Sequence, residues 1–404
     1  MKEQVDSITT QSFPRKKKSI LFIGMTPNRG GTETFIFNMA KLLKQNFNQY
    51  FDVYILDDTR QGISMKSELV QLDIKIIKVN LPSGRQKHFQ KIRILKRFFE
   101  ERTFDLVHIN ANSLASTTYL SALKKTQTRI IFHSHNTSIN FDNLIPKILY
   151  YGRIPHFRKV LDHSKPIRVA ASDAAGKWMF HDKQFIILPN GIDPQDYKIN
   201  PDTRSSVRKT LGIPEDANVF LFVGRLEFQK YPDFGIAVFN DLLIHYPILR
   251  GKVFLVIVGE GSLYGFLSKL SASNKRYIKF LGVRRDIPNL MSMADFLLLP
   301  SRFEAMPFVA IEAQASGMKI LQSAESRNGV GEITQGNNFP SLHDSILVWS
   351  TFMRDMIGQR PSVLSRERDN ELVQKSPYNM SVGFVRFINE VYLGKIFDAK
   401  KISL

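Results

Sequence analysis

The chain has 404 residues, 43% hydrophobic and 23% charged, proportions of a soluble globular protein with room for two or three domains of ordinary size. It has no cysteine, which excludes disulfides, thiolate catalysis and zinc–thiolate sites, and no run of about 18 apolar residues that would cross a membrane. The net charge of +19 is uneven, with 31 Lys and Arg against 17 Asp and Glu in residues 1–200 and 25 against 20 in residues 201–404.

The basic first half is expected to face something anionic. Nucleic acid, an acidic membrane leaflet and a merely solvated surface are all open on charge alone, although no nucleic-acid module is recognisable. Residues 1–18 form a polar tail ending in Arg15-Lys16-Lys17-Lys18, without the apolar core of a signal peptide, so a cytoplasmic location is expected.

Ser19–Met25 is a short apolar run followed by Gly30-Gly31-Thr32-Glu33 and then Phe35, Met39, Leu42 and Leu43 at helical spacing, which predicts strand, glycine turn and helix. Strand-like runs follow at Phe51–Leu56, Ile74–Val79, Asp105–Ile109, Arg129–Phe132, Ile167–Ala171 and Phe185–Leu188, mostly separated by helical patterns. Such alternation predicts a doubly wound parallel sheet. Residues 86–99 read as a basic amphipathic helix with Phe89, Ile92, Leu95 and Phe99 on one stripe. It could lie on an anionic membrane or pack on the sheet, and the basic, aromatic stretch 146–159 favours the membrane reading.

His133 and His135 are placed just past a strand's carboxyl end, where open α/β sheets bind ligands. Without further ligands nearby they make a poor metal site, so hydrogen bonding to a substrate or a structural role is expected instead. Leu188-Pro189-Asn190-Gly191-Ile192-Asp193 closes the first series, and the polar segment after it reads as a linker. A second series of strands runs through Asn218–Gly224, Lys252–Gly259, Tyr277–Leu281 and Phe296–Leu299. Two sheets of one style imply two similar domains with a cleft between them.

Within the second series, Arg225 and Lys230 flank a short loop after a strand, where they could bind a diphosphate. After Phe296–Leu299, Pro307 marks a helix start and Gly317 its stop. The helix start offers backbone N–H groups and a positive dipole end to an anion, while Glu304 in the loop and Glu312 in the helix could hold sugar hydroxyls. Solvated acids on a buried helix are the alternative. Further on, 325–340 reads as glycine-containing loop, Leu342–Met356 as helix, 359–377 as polar and basic, and Tyr378–Leu393 as helix.

In this order the motifs resemble those of the retaining glycosyltransferases of family 4, with the GT-B fold, and most closely the bacterial exopolysaccharide and capsular polysaccharide branch. Gly30-Gly31-Thr32-Glu33, Phe104–His108, His133-Ser134-His135-Asn136, Asn190-Gly191-Ile192-Asp193, Val223-Gly224-Arg225-Leu226 with Gln229-Lys230, and Glu304 with Glu312 each match a family segment. The chain departs from the pattern at Ala305 and at Tyr231, where the family often has glycine and glycine or asparagine respectively, and in 319–325, which lacks an aspartate many members carry.

The resemblance implies two Rossmann-like doubly wound parallel-sheet domains. An acceptor domain would span 19–193, a linker 194–216, a nucleotide-sugar domain 217–376, and a C-terminal helix in 377–404 would pack back on the first domain. It also implies that Arg225 and Lys230 neutralise the diphosphate, that Glu312 bonds the ribose and Glu304 the transferred sugar, and that His135 sits at the reacting centre. Gly31 would let backbone approach the phosphates, Val283 and Arg284 would hold the base, and Met306, Pro307 and Phe308 would complete the donor site. Asn112, Asn136 and Asn190 would face the acceptor or the cleft.

The implied chemistry is metal-independent, without a cofactor, and retains configuration: a hexose or N-acetylhexosamine passes from a UDP-sugar to a polyprenyl diphosphate-linked oligosaccharide. The enzyme would work peripherally on the inner membrane face, in contact with an anionic surface and open to partners in polysaccharide assembly. A sugar-nucleotide epimerase on the same fold and a non-catalytic partner subunit are the alternatives.

Overall fold

The computed structural model describes residues 16–82, 87–139, 144–327 and 333–394, with side chains omitted at 144–146. The tail up to residue 15, Gln86, Gly329, Gly331 and the chain end after residue 394, each part of a reading above, lie outside the described residues.

The first sheet is formed by β1 (Lys18–Ile23), β2 (Phe51–Asp57), β3 (Lys75–Lys78), β4 (Leu106–Ala111), β5 (Arg129–Ser134), β6 (Ile167–Ala170) and β7 (Ile186–Ile187), in the order β3-β2-β1-β4-β5-β6-β7. The second is formed by β8 (Asn218–Val223), β9 (Val253–Val258), β10 (Ile278–Phe280), β11 (Phe296–Leu299) and β12 (Lys319–Gln322), in the order β10-β9-β8-β11-β12. Strand pairing is parallel in both, with Leu21 opposite Tyr54 and Val107 in one and Leu221 opposite Val256 and Leu297 in the other. Central strands of a parallel sheet are covered on both faces, and β4, β9 and β11 are accordingly buried at every residue. This is the expected α/β class.

The helices used below are α1 (Gly31–Asn46), α2 (His88–Glu101), α3 (Leu144–Ser164), α4 (Pro201–Leu211), α5 (Pro232–His245), α6 (Phe308–Ala315), α7 (Ile346–Ile357), α8 (Val363–Lys375) and α9 (Met380–Phe387). The chain forms two compact units, residues 1–133 with 141–168 and residues 134–140 with 169–404, so that β7 and the second half of β6 fall with the second unit. The sequence reading placed its break at residue 193. Part of the expected linker is folded, as a 3-10 turn at Pro194–Tyr197 and as α4, which is capped by Asn200 and stopped by Gly212.

In the first unit, α2 buries Leu95, Phe98 and Phe99, while Phe89 is 83% exposed. The buried face is therefore rotated from the expected stripe, and Phe89 lies off it. In the second unit, Phe220, Leu255, Phe296 and Leu298 pack with Ile236 and Phe239 of α5 and Trp349 of α7, whose indole N–H donates to the Ser341 carbonyl at 2.8 Å.

Two elements differ from the sequence reading. Lys319–Gln322 is an edge strand, and α8 occupies most of the stretch read only as polar and basic. The buried face of α8 is Arg366, Asn370 and Val373, so hydrophobic spacing could not reveal it. Arg366 Nε donates to the Ser316 carbonyl at 2.7 Å, and its terminal nitrogens donate to those of Ala294 and Met291, each at 2.8 Å. Beside it, Asp295 accepts from Arg204 at 2.6 Å, Arg208 at 2.9 Å, Arg360 at 3.1 Å and the Val219 N–H at 2.9 Å. Burial pulls Arg208 down to about 10 and Arg366 down to about 9, so both remain charged at neutral pH.

A buried charge that loses its partner is far more costly than the pair itself is favourable. Asp295→Ala strands Arg204 and Arg208 and is expected to destabilise the second unit by about 3–5 kcal/mol, read from urea unfolding.

Candidate active site

The site is built from loops that leave the carboxyl ends of β8, β9 and β11. The loops after β8 and β9 meet closely at Gly259, whose φ is +133°, and a Cβ there would lie 2.0 Å from the Gly224 carbonyl oxygen. Only glycine fits. This close approach fixes the path of the chain that carries Arg225 to Lys230.

The loop after β8 and the loop after β11 are tied at several points. The Arg302 N–H donates to the Gln229 carbonyl at 2.8 Å, and Gln229 Nε2 donates to the Phe303 carbonyl at 3.1 Å. Arg225, which is exposed, donates from Nη2 to Gln229 Oε1 at 3.2 Å. Lys230 Nζ meets Glu304 Oε1 at 2.5 Å, with the two side chains only 15% and 8% exposed. The cation and the carboxylate that sequence assigned to diphosphate and sugar are thus in contact with each other.

Tyr231 has φ +52° and ψ +48°, a left-handed conformation that costs a non-glycine residue about 1–3 kcal/mol. Its ring carries the Arg302 guanidinium 3.5 Å from the centroid, and that guanidinium also lies 4.2 Å from the Phe228 centroid. On the Phe234 side the Tyr231 ring is stacked at 5.1 Å. A cation on an aromatic face contributes about 0.5–2 kcal/mol, enough for two such contacts to offset the strain.

Helix α6 begins at Phe308 with Pro307 as its N-cap, one residue later than the expected start. It ends in a Schellman arrangement, with Met318 N–H donating to the Ala313 carbonyl and Gly317 N–H to that of Gln314, each at 2.9 Å. Gly317 has φ +64° and lies so close to α8 that a Cβ would fall 2.3 Å from Arg366 Cα. Glu312 accepts from the Tyr197 hydroxyl at 2.8 Å, and the Tyr197 carbonyl accepts from Ser316 Oγ at 2.8 Å. Asn190 is buried, donates from Nδ2 to the Met306 carbonyl at 2.7 Å, and has no partner at Oδ1 among the described residues. Thr137 Oγ1 lies 3.5 Å from the Glu304 carbonyl oxygen, which sets the segment carrying His135 and Asn136 beside that loop.

The two histidines separate. His133 is within β5, fully buried, with its Nδ1 3.2 Å from His108 Nε2 and the Phe35 ring edge-on at 4.7 Å, so it is a core residue and not a loop residue past the strand. His135 follows the strand end, and desolvation lowers its pKa from 6.5 to about 3. Val283 and Arg284 are exposed after β10, and Arg284 pairs with Asp286 at 2.8 and 2.7 Å. Gly31 and Asn112 belong to the first unit, where the Thr32 hydroxyl bonds Asn112 Oδ1 at 2.8 Å and buried Glu33 accepts from Thr26 Oγ1 at 2.7 Å. Sequence reasoning gave no role to Tyr197, Thr137 or Arg302. Tyr197 is 115 positions from Glu312, and no local pattern connects them.

The loop after β8 thus carries two cations, Arg225 and Lys230, and the loop after β11 carries Glu304 and leads into the start of α6. Two sheets of this parallel, doubly wound kind in series are the architecture of the GT-B fold. A model described as Glycosyltransferase Family 4 matches residues 29–196, and one described as Glycosyl transferases group 1 matches residues 203–338. The chain belongs with these glycosyltransferases.

It is 25% identical to EpsF of Bacillus subtilis, a protein named as a glycosyltransferase, over 85% of this chain and 89% of that one. It is 34% identical to the UDP-Gal:alpha-D-GlcNAc-diphosphoundecaprenol alpha-1,3-galactosyltransferase of Escherichia coli over 34% of this chain and 36% of that one, about a third of each. The crystal structure of Anabaena HepE in complex with UDP and glucose shares the fold, with a TM-score of 0.73 at 18% identity, covering 94% of this chain and 100% of that one.

The His135 shift makes a prediction. Its folded-state pKa lies below the unfolded value, so it is neutral from pH 8 to well below 6.5, and stability is lost as pH falls below about 6.5 because only the unfolded chain takes up the proton. The ring resonances of His135 are expected not to titrate between pH 5 and 8 in NMR spectra. His135→Asn is expected to lessen the loss of thermal stability between pH 6.5 and 5.

Proposed function

We propose that this glycosyltransferase moves a hexose or N-acetylhexosamine from a UDP-sugar to a polyprenyl diphosphate-linked oligosaccharide with retained anomeric configuration, in exopolysaccharide or capsular polysaccharide biosynthesis. The observation that carries the reading is the part-buried Lys230–Glu304 contact, with Arg225 exposed on the loop of the one and α6 starting soon after the other. The Escherichia coli relative, named for UDP-Gal and a diphosphoundecaprenol-linked acceptor, and HepE, solved with UDP and glucose, support the donor and acceptor classes.

In this reading the donor diphosphate takes over the charge of Lys230, with Arg225 and the α6 start as further partners, and Glu304 is released to accept a hydroxyl of the transferred sugar. Glu312 and Tyr197 hold the ribose, and Val283, Arg284, Met306, Pro307, Phe308 and Gly31 complete the donor site. Stabilisation of the leaving diphosphate does most of the work, without a metal or a cofactor. His135, uncharged, stands beside the sugar without opposing positive charge at its anomeric carbon. Asn112, Asn136 and Asn190 face the acceptor.

The enzyme works on the inner face of the membrane as a peripheral protein, in contact with anionic lipid and with other members of a polysaccharide assembly. Exposed Phe89 on α2 and Ile148, Leu149 and Tyr151 on α3, accompanied by Lys91, Lys147 and Arg153, support that placement. Among the described residues no helix is long and apolar enough to cross a membrane.

Transfer of radiolabelled sugar to a membrane lipid extract is expected from at least one of UDP-glucose, UDP-galactose and their N-acetyl forms. Lack of incorporation from all four by folded protein overturns the reading. Glu312→Ala is expected to weaken UDP binding by about tenfold in calorimetry, by analogy with other lost charge-assisted hydrogen bonds. Lys230→Ala is expected to lower turnover by about 10²-fold, with a smaller change in nucleotide affinity; normal turnover removes Lys230 from the site.

A further inference from the structure

Lys230 can serve a diphosphate only if its loop holds it in place, and the residue after it is in a conformation that a tyrosine does not adopt freely. Tyr231 sits at φ +52°, and its N–H and that of Lys230 both turn back to the Glu227 carbonyl, at 3.3 and 3.0 Å. Left alone, the backbone at Tyr231 would relax toward negative φ and swing Lys230 with it. Besides the Phe234 ring on one side and these turn hydrogen bonds, what opposes this is one side chain from the other loop. The Arg302 guanidinium lies between the Phe228 and Tyr231 rings, makes no ion pair among the described residues, and leaves its buried Nε without a hydrogen-bond partner. Its bonding capacity goes into the two ring faces and not into a carboxylate. Its own N–H meanwhile binds the Gln229 carbonyl.

We propose that Arg302 is a positioning residue: by stacking on Tyr231 and Phe228 it locks the left-handed turn and so presents Lys230 to the donor diphosphate. Sequence neighbours support the geometry. Arg302 is two residues before Glu304, so the loop that supplies the carboxylate also supplies the clamp for the cation opposite it. A lysine in place of Arg302 keeps the charge but cannot lie flat between two rings. An asparagine in place of Tyr231 adopts the left-handed conformation with little strain and has no need of the clamp. The proposal rests on the donor-site reading for its consequence, but the clamp itself can be measured without any ligand.

The test compares Arg302→Met and Arg302→Lys in the wild-type and Tyr231→Asn backgrounds by amide hydrogen exchange over residues 226–232 and by calorimetry with UDP. With Tyr231 present, both Arg302 substitutions are expected to speed exchange in that segment by about tenfold and to weaken UDP binding by a similar factor, with little change in exchange elsewhere. In the Tyr231→Asn background the same substitutions are expected to have less than a threefold effect, the non-additivity of a directly coupled pair. Unchanged exchange in 226–232, or equal effects in both backgrounds, overturns the proposal. If the wild-type chain binds no UDP, the donor-site reading fails while the exchange measurements still decide whether the clamp exists.

Discussion

The contact between Lys230 and Glu304 joins the loops after β8 and β11, and much of the second unit can be understood as what keeps those two groups facing each other. A carboxylate this far from water is tolerable only with a cation beside it, and a lysine has too many rotamers to stay there unaided. Gln229 bridges the two loops with both its backbone and its side chain, and the glycine at 259 brings the neighbouring loop close enough to brace the turn from behind. The pair is therefore held by both loops together and not by either one alone.

The second constraint is the burial of charge away from the site. Asp295 gathers Arg204, Arg208 and Arg360, and Arg366 spends its donors on main-chain carbonyls from residues 291, 294 and 316. These carbonyls belong to the ends of helices and the approach to β11, where backbone acceptors lack partners of their own. Arginine suits the task because its rigid fork reaches several carbonyls at once. Part of the positive charge of this basic protein is thereby structural and has no bearing on an external partner.

Most of the architecture was legible because parallel strands buried on both faces leave near-continuous apolar runs, and all but one of the strands announced themselves this way. Lys319–Gln322 escaped because an edge strand with a lysine and a glutamine has no such run. Helix α8 escaped for a deeper reason: its inward face is Arg366 and Asn370, and a pattern based on hydrophobicity assigns those to water. The site was legible in its charged members, which fall in compact motifs, and illegible where the contact depends on chain crossing, as for Tyr197 on Glu312. His133 and His135 show the limit of spacing. Only two positions apart, with the strand's last residue between them, one became core and the other remained at the loop.

Helix α6 is anchored unequally at its two ends. Its start follows the loop of Glu304 and is met by Asn190 at the Met306 carbonyl, whereas its stop at Gly317 is pressed against the backbone of α8, with Arg366 holding the carbonyl of the preceding residue. A short rod clamped at its far end cannot slide or pivot about that end without tearing a buried arginine from its acceptors. The direction of the helix dipole, and of the N–H groups at its near end, is therefore fixed by contacts made at its far end.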